Sequence, residues 1–107
     1  MFTRLVEITT RTGKARELCN TINDKVLPIL RNQPGFVDEI TLVSTTNPNQ
    51  VIALSFWKTP EDAERYNREQ FATITDSIQH LTETTPTVKT FDVDTSTAHR
   101  VAEGKAA

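Results

Sequence analysis

Trp57 is the only tryptophan in a chain of 107 residues, and it stands where the sequence changes character. An apolar run from Val51 to Trp57 ends there. The stretch Thr59-Pro60-Glu61-Asp62 follows, which is typical of a helix start because it offers a capping hydroxyl, a first-turn proline and acidic residues near the positive end of the helix dipole. A large ring at a strand end is either part of the core or the wall of a pocket. Both interpretations stay open from the sequence.

The other chemically reactive side chains are few and separated. The two histidines, His80 and His99, lie far apart, and Cys19 is the only cysteine, so we expect no metal site and no internal disulfide. Cys19 falls on the apolar stripe of a predicted helix, which is typical of a small buried residue. The three glycines are isolated from one another, and no serine or cysteine lies in a nucleophile motif. These patterns argue against nucleotide binding and acyl transfer.

Composition and charge narrow the classes of partner. The chain has 36% hydrophobic and 24% charged residues and a net charge of −2, with the basic residues scattered. This composition is typical of one globular domain and does not favour a nucleic-acid or membrane partner. The first residues are too polar for a signal peptide. We therefore expect a cytoplasmic protein.

Hydrophobic periodicity predicts the elements that position Trp57. Alternating residues predict strands, and a spacing of three and four predicts helices. The predicted order is strand 2–9, helix 14–31, strand 36–44, strand 51–57, helical pieces 60–70 and 71–81, and strand 88–93. Pro28 should kink or shorten the first helix because it removes a backbone hydrogen bond. Residues 1–94 form the predicted domain, and residues 95–107 form a polar tail that is mobile or serves as an arm on a partner.

This element order predicts an α+β fold, the ferredoxin-like βαββαβ arrangement. Right-handed crossovers place the helices on one face of a four-stranded antiparallel sheet. In the second strand, Phe36, Ile40 and Leu42 are predicted to share one face, which Asp38 interrupts. Because the helices cover only one face and the other is also apolar, we expect a symmetric homodimer, sheet against sheet, as in a dimeric α+β barrel.

The sequence also resembles a known family, the antibiotic biosynthesis monooxygenase-like domains of the dimeric α+β barrel superfamily. The residues that carry the resemblance are Gly13-Lys14, Gln33-Pro34-Gly35-Phe36, Val51 to Trp57, and Thr59-Pro60-Glu61-Asp62-Ala63. It covers about residues 2–93. Members of known activity oxidise quinols and polycyclic phenols with O₂ and without metal or flavin, so the resemblance implies no cofactor. It also implies a pocket between helices and sheet, with Trp57 in its wall.

The resemblance carries over only at some positions. Haem-degrading relatives have an asparagine in the first strand and a histidine in a later helix, and these positions hold Arg4 and Thr75 here. Haem degradation is therefore disfavoured. Relatives that oxidise polyketides have an asparagine and a tyrosine around the tryptophan, where this chain has Ala53 and Ala63. Trp57 itself matches both groups.

Six residues are predicted to bind a small aromatic molecule in an apolar cavity. Trp57, Tyr66 and Phe71 are candidates for its aromatic wall, and Arg4, Asn67 and His80 for its polar contact. Each also has a structural interpretation. Phe71 is typical of a helix stripe facing the core, and His80 of a solvated surface position. Arg4 has Asp38 and Asp92 as alternative ionic partners on neighbouring strands.

The leading hypothesis for function is a cofactor-independent monooxygenase that oxidises a quinol or polyphenolic aromatic with O₂. Such an enzyme must deprotonate or hydrogen-bond a phenolic oxygen while keeping water away. The alternative is a non-catalytic binding or regulatory module of the same fold that holds an apolar ligand.

Overall fold

Four strands alternate with helical segments in the computed structural model, which describes residues 1–101. The strands are β1 (Phe2–Thr9), β2 (Phe36–Val43), β3 (Gln50–Trp57) and β4 (Thr87–Asp92). The helices are α1 (Ala15–Thr21), α2 (Leu27–Arg31), α3 (Pro60–Glu69) and α4 (Phe71–Ile78). A π-helical turn over Ile22–Val26 joins α1 to α2, and a 3₁₀ turn over Gln79–Leu81 extends α4. No helix within residues 1–101 combines the length and apolar character that crossing a bilayer requires.

The strands form one antiparallel sheet in the order β2-β3-β1-β4. This is the order of the ferredoxin-like fold, so the predicted fold class is confirmed. The two central strands are β3 and β1. β3 carries apolar residues on both of its faces, which is typical of a central strand.

The core lies between the helices and one face of the sheet. The sheet contributes Val6, Ile8, Val51 and Trp57, and the helical segments contribute Leu18, Ile22, Val26, Leu30, Ala63, Tyr66, Ile74, Ile78 and Leu81. Burying one large aliphatic or aromatic side chain of this kind contributes about 1.5–3 kcal/mol. The helices are thus held against the sheet by the apolar stripe predicted from their three-and-four spacing.

Pro28 lies at the start of α2 and does not end the first helical region. A proline has no N–H to donate, and its ring collides with the carbonyl four residues earlier in a regular α-helix. The chain widens into the π-helical turn Ile22–Val26 directly before α2, and the helix then continues to Arg31. Ile22 and Val26 remain buried in this turn. The predicted kink therefore takes the form of a local widening that still presents apolar side chains to the core.

A β-bulge in β2 changes the faces predicted for that strand. Phe36 lies opposite Trp57, whereas Asp38 lies opposite Phe56, so Val37 is the extra residue. The prediction that Phe36 shares a face with Ile40 is wrong, because the bulge inverts the alternation. Phe36 packs against the core on the helix side. Asp38 and Ile40 point to the opposite face.

The face of the sheet away from the helices is partly covered by the start of the predicted tail. His99 Nε2 lies 2.9 Å from Asp38 Oδ2, its ring lies 5.8 Å from that of Phe56, and Val101 is buried. The remainder of the tail, residues 102–107, lies outside the described part of the chain. Three large apolar side chains stay exposed on this open sheet face, with fractions of 41% for Ile40, 45% for Leu42 and 49% for Phe91.

Candidate functional site

A tightly bonded segment joins β3 to α3 and fixes the backbone on either side of Trp57. Thr59 Oγ1 accepts a hydrogen bond from the Asp62 N–H at 3.2 Å and donates one to the Asp62 carboxylate at 2.9 Å, so the predicted cap is confirmed. Gly35 has φ of +77° and approaches Asp62 so closely that a Cβ would overlap its carboxylate. The Gly35 carbonyl accepts the Lys58 N–H at 2.9 Å. The start of α3, the turn at Gly35 before β2 and the end of β3 are thereby held together.

Trp57 is completely buried, and its ring is surrounded by other aromatic and polar groups. The Phe36 ring meets it edge-on at 5.7 Å, and the Tyr66 ring lies at 5.0 Å. Its indole N–H donates to Ser55 Oγ at 2.9 Å. Because both atoms of this bond are buried, the bond fixes the orientation of the Ser55 hydroxyl as well as that of the indole.

Arg4 forms a cluster with three of the other predicted site residues. It extends from β1 to the helical layer, where its Nη2 donates to Asn67 Oδ1 at 2.9 Å. Its guanidinium carbon lies 4.5 Å from the centre of the Phe71 ring and 5.1 Å from that of Tyr66. Arg4 is only 3% exposed. The ring faces and the amide oxygen therefore stabilise a cation that is largely removed from water.

Burial sets the acid–base properties of this cluster. Burial lowers the pKa of the Arg4 guanidinium, and the nearby Tyr66 and Glu64 oppose that effect. An arginine nevertheless stays charged in proteins. Burial also raises the pKa of Tyr66 to about 12, although the charge and hydrogen bond of Arg4 act in the other direction. At neutral pH the cluster is thus a fixed positive charge beside a protonated phenol.

A cavity of about 50 Å³ lies between the sheet and the helices, next to Arg4. Much of its wall is aliphatic, with Ile22 and Val26 from the π-helical turn, Leu30 from α2, and Ile74 and Ile78 from α4. Its polar lining comes from Arg4, Glu39, Ser55, Tyr66 and Thr75. An apolar space with a few convergent polar groups is the usual form of a small-molecule site.

The polar floor of the cavity follows from the strand register. Ser55 pairs with Arg4 on one side and with Glu39 on the other, so the three side chains project from the same face of the sheet. Thr41 Oγ1 donates to Glu39 Oε2 at 2.8 Å. The pKa of Glu39 is raised overall, chiefly by burial and further by the charge of Asp38, although the Thr41 hydrogen bond acts in the other direction. A cation, a hydroxyl and a carboxylate thus form one row beneath the cavity.

The predicted site residues differ in their position relative to the cavity. Arg4, Tyr66 and Phe71 line the cavity, and Asn67 holds Arg4. Trp57 is not in the lining, because Ser55 and Tyr66 lie at the cavity wall and the indole packs behind them. Its contribution to the cavity is therefore indirect.

His80 does not join the other predicted residues. Its side chain is 67% exposed, and its ring lies 3.9 Å from Glu17 on α1. The surface interpretation of this residue therefore fits the structure. Thr75, five residues earlier and within α4, contributes a hydroxyl to the lining of the cavity.

Sequence reasoning missed Glu39 and Ser55 as site residues. A charged residue in a strand that packs on a core is a signal of a functional role, and Glu39 is such a residue. The bulge at Val37 concealed which face it occupies. Ser55 gives no signal of its own, because its hydrogen bond with the indole cannot be read from the sequence.

The polar groups of the cavity suit an organic oxygen ligand better than a metal. They comprise one guanidinium, hydroxyl groups, a phenol and a single carboxylate. Within residues 1–101, no three histidine, cysteine, aspartate or glutamate residues are grouped so as to hold a metal ion. A guanidinium and an O–H group are hydrogen-bond donors, so this lining favours an oxygen atom carrying negative charge.

A second, larger space opens on the other side of Arg4. It is a groove of about 690 Å³ lined by α3, β1 and β4, with Asn67, Ala63, Val88 and Thr90 in its wall. Arg4 lines both the cavity and the groove. Arg4 therefore contacts both a small apolar space and a larger open one.

Comparison with known proteins agrees with this architecture. A family model described as antibiotic biosynthesis monooxygenase matches residues 1–87. The chain belongs to the antibiotic biosynthesis monooxygenase family. The resemblance inferred from the sequence is thereby confirmed. No curated protein sequence gives a significant match to this member of the family.

Solved structures share the fold of this antibiotic biosynthesis monooxygenase family member. SnoaB, a cofactor-independent oxygenase from Streptomyces nogalater solved as a mutant, has a TM-score of 0.74 at 17% identity, covering 92% of this chain and 97% of its own. A monooxygenase from the gene ActVA-Orf6 of Streptomyces coelicolor, in complex with nanaomycin D, has a TM-score of 0.74 at 16% identity, covering 84% of each chain. A conserved protein from Methanosarcina mazei Go1 has a TM-score of 0.70 at 17% identity, covering 85% and 91%.

Proposed function

We propose that this protein is a cofactor-independent monooxygenase that oxidises a quinol or polyphenolic aromatic with O₂. The observation that carries the proposal is Arg4, a buried cation in the wall of an apolar cavity, stacked on Phe71 and Tyr66 and oriented by Asn67. Such a cation stabilises a phenolate strongly because little water screens the charge. The oxygenases among the structural relatives support the same class of reaction.

The chemistry requires the substrate to donate electrons to O₂ itself. A neutral phenol is a poor donor, whereas its phenolate transfers an electron more readily, so ionisation of the hydroxyl is the step that the protein must promote. The overall reaction converts an aromatic C–H beside the phenol system into a carbonyl, which gives a quinone. One oxygen atom of O₂ enters the product, and the other leaves as water with the two hydrogens removed from the substrate.

Arg4 performs the electrostatic part of this reaction. An opposite charge within about 4–6 Å lowers the pKa of an acid by roughly 1–3 units. The apolar wall formed by the π-helical turn, α2 and α4 excludes water and so preserves reactive intermediates. Tyr66, protonated at neutral pH, is available to donate a hydrogen bond to the substrate oxygen.

Substrate binding requires the site to open. A cavity of about 50 Å³ is smaller than the roughly 300–1,000 Å³ of common ligand sites, whereas the adjoining groove of about 690 Å³ falls within that range. We propose that the aromatic substrate enters from the groove and that Arg4 exchanges the amide oxygen of Asn67 for an oxygen of the substrate. This exchange joins the groove and the cavity into one site.

The open sheet face supports a homodimer as the functional form. Ile40, Leu42 and Phe91 are large apolar side chains exposed to 41–49% on this face. Because the helices pack on the opposite face, a second copy of the chain is the proposed cover, sheet against sheet. The cavity lies on the helix side, so each protomer keeps its own site in this arrangement.

The test is aerobic incubation with a panel of quinols and polyphenols in the presence of a metal chelator, following O₂ uptake and quinone formation. The proposal predicts turnover above the autoxidation rate for at least one compound. Quenching of Trp57 fluorescence without product across the panel would identify a binding module that holds an apolar ligand. Haem binding, disfavoured by Arg4 and Thr75, is checked by a Soret titration, which we expect to stay flat.

A further inference from the structure

Glu39 is an acidic residue in a sheet face that is otherwise mostly apolar. It lies on β2, at one end of the row that continues through Ser55 on β3 to Arg4 on β1. The next row along the same face contains Thr41, Ala53 and Val6. Since neighbouring strands are about 4.8 Å apart, the backbone positions of Glu39 and Arg4 are separated by roughly 10 Å. The cavity thus has a carboxylate at one end of its floor and a cation at the other.

The surroundings of Glu39 leave its carboxylate able to take up a proton. Thr41 Oγ1 donates to Oε2 at 2.8 Å, which engages one of the two carboxylate oxygens and orients the group. The charged and titratable groups that face it are Asp38 on its own strand, Tyr66 on α3 and Arg4 on β1. Burial raises the pKa of Glu39 and thereby makes it a stronger base than an exposed carboxylate.

The other polar groups of the cavity do not accept a proton at neutral pH. Arg4 has no acceptor atom, and Tyr66 already carries its proton because its pKa is raised to about 12. The Ser55 oxygen receives the Trp57 indole N–H. A serine or threonine hydroxyl is in any case too weak a base for this role. The lining therefore offers Glu39 as its base.

We infer that Glu39 accepts the proton of one hydroxyl of a dihydroxyaromatic substrate whose second oxygen lies at Arg4. The inference rests on the proposed function and specifies both its base and its substrate class. A compound with two oxygen functions on one aromatic system spans the row from the carboxylate to the guanidinium. Ser55, between them, lies beneath the ring.

The step at Glu39 is a proton transfer without change of oxidation state. The substrate O–H bond breaks, both of its electrons stay on the substrate oxygen, and the proton forms an O–H bond with a carboxylate oxygen of Glu39. The resulting phenolate then donates to O₂, the co-substrate of the proposed reaction. The proton on Glu39 is returned to the oxygen atom that leaves as water.

The first experiment needs no turnover. A quinol is added without O₂ at a pH where the free compound is neutral, and the near-ultraviolet absorption band of its phenolate is recorded. Wild type and the surface control Glu17→Gln, which carries the same chemical change on α1, are expected to show the band. Glu39→Gln is expected to bind the neutral quinol without it. The same band in Glu39→Gln, or its absence in wild type, would overturn the inference.

The second experiment uses turnover. General-base catalysis contributes about 10²–10⁴-fold, so Glu39→Gln is expected to lower kcat by that factor, to change KM much less, and to remove the acidic limb of the pH profile of kcat/KM. The mono-methyl ether of a good quinol substrate should react more slowly in wild type. An unchanged rate and pH profile in Glu39→Gln would refute the role of Glu39 while leaving the proposed function intact. A phenolate band without O₂ uptake would refute the proposed function, but Glu39 would still be the group that accepts the proton.

Discussion

The indole N–H of Trp57 donates to Ser55 Oγ at 2.9 Å, and Ser55 pairs directly with Arg4 across the sheet. The tryptophan that the sequence singles out is completely buried and contacts the cavity wall through Ser55 and Tyr66. Trp57 is therefore a positioning residue in the proposed site. Arg4, Ser55 and Glu39 form the polar floor of the cavity.

The Trp57–Ser55 bond predicts a difference between two substitutions of the tryptophan. Trp57→Phe keeps most of the aromatic packing but leaves the Ser55 oxygen without its donor, and we expect a loss of about 1–3 kcal/mol in the free energy of unfolding. Trp57→Ala also opens a cavity and should cost about 3–5 kcal/mol. Denaturant unfolding of both variants measures the two costs.

The double variant supplies the control for this bond. Combining Trp57→Phe with Ser55→Ala removes both partners, so its loss should be smaller than the sum of the two single losses. Strict additivity of the two single variants would show that the bond contributes no coupling. In that case Trp57 acts through its packing alone.

Arg4 is expected to determine the ionisation of a bound phenol. Because an opposite charge close to an acid lowers its pKa by about 1–3 units, a chromogenic nitrophenol should ionise at lower pH in the site than in water. Arg4→Met should abolish that difference, and Arg4→Lys should retain part of it, since lysine keeps the charge but not the planar stacking on Phe71.

The measurement for Arg4 is a spectrophotometric pH titration of the bound nitrophenol. Arg16→Met, an exposed arginine on α1, is the matched control and should behave as wild type. A bound pKa that is the same in wild type and in Arg4→Met would contradict the role given to the guanidinium.

The raised pKa of Tyr66 predicts that the free energy of unfolding falls in alkaline solution. Its pKa is about 12 in the folded protein and 10.0 for an ordinary tyrosine, so the folded state holds the proton more tightly. This contribution is fully present below about pH 10 and is lost as the pH rises through about 12; it amounts to roughly 2–3 kcal/mol. Tyr66 is the only tyrosine, so the absorbance of ionised phenol reports on it alone.

The control for this titration is Tyr66→Phe, which should lack both the absorbance change and its share of the alkaline loss. Other groups that ionise at high pH contribute equally to both proteins, so the difference isolates Tyr66. A folded protein whose phenol ionises at about pH 10 would disprove the effect of burial.

The proposed dimer predicts opposite outcomes for two adjacent residues of β2. Leu42 and Val43 are both 45% exposed, but Leu42 pairs with Ile52 on the open sheet face and Val43 pairs with Val51 on the helix side. Leu42→Lys should therefore dissociate the dimer, whereas Val43→Lys should leave the mass unchanged. Light scattering at micromolar concentration measures both, and a monomeric mass for wild type would refute the dimer.

The element order was predictable because local rules fix it. The strand 2–9 and the cap at Thr59 were predicted correctly, since alternation and capping chemistry depend only on neighbours in sequence. The faces of β2 were not, because a bulge is decided by pairing with β3. The error affected the strand that carries Glu39.

The candidate site was predictable in part. Arg4, Tyr66, Asn67 and Phe71 were selected individually, and the fold brings them together. Their contacts depend on the packing of α3 and the start of α4 over β1, which no local pattern specifies. The placement of Trp57 behind the cavity and of His80 on the surface likewise depends on packing.

The most direct test of the account is oxidation of a quinol under isotopically labelled O₂, with a metal chelator present, followed by mass spectrometry of the product. We expect a quinone that carries one labelled oxygen atom, formed faster than in the absence of protein and much more slowly by Arg4→Met. Product that forms only at the autoxidation rate, or that carries no label, would contradict it.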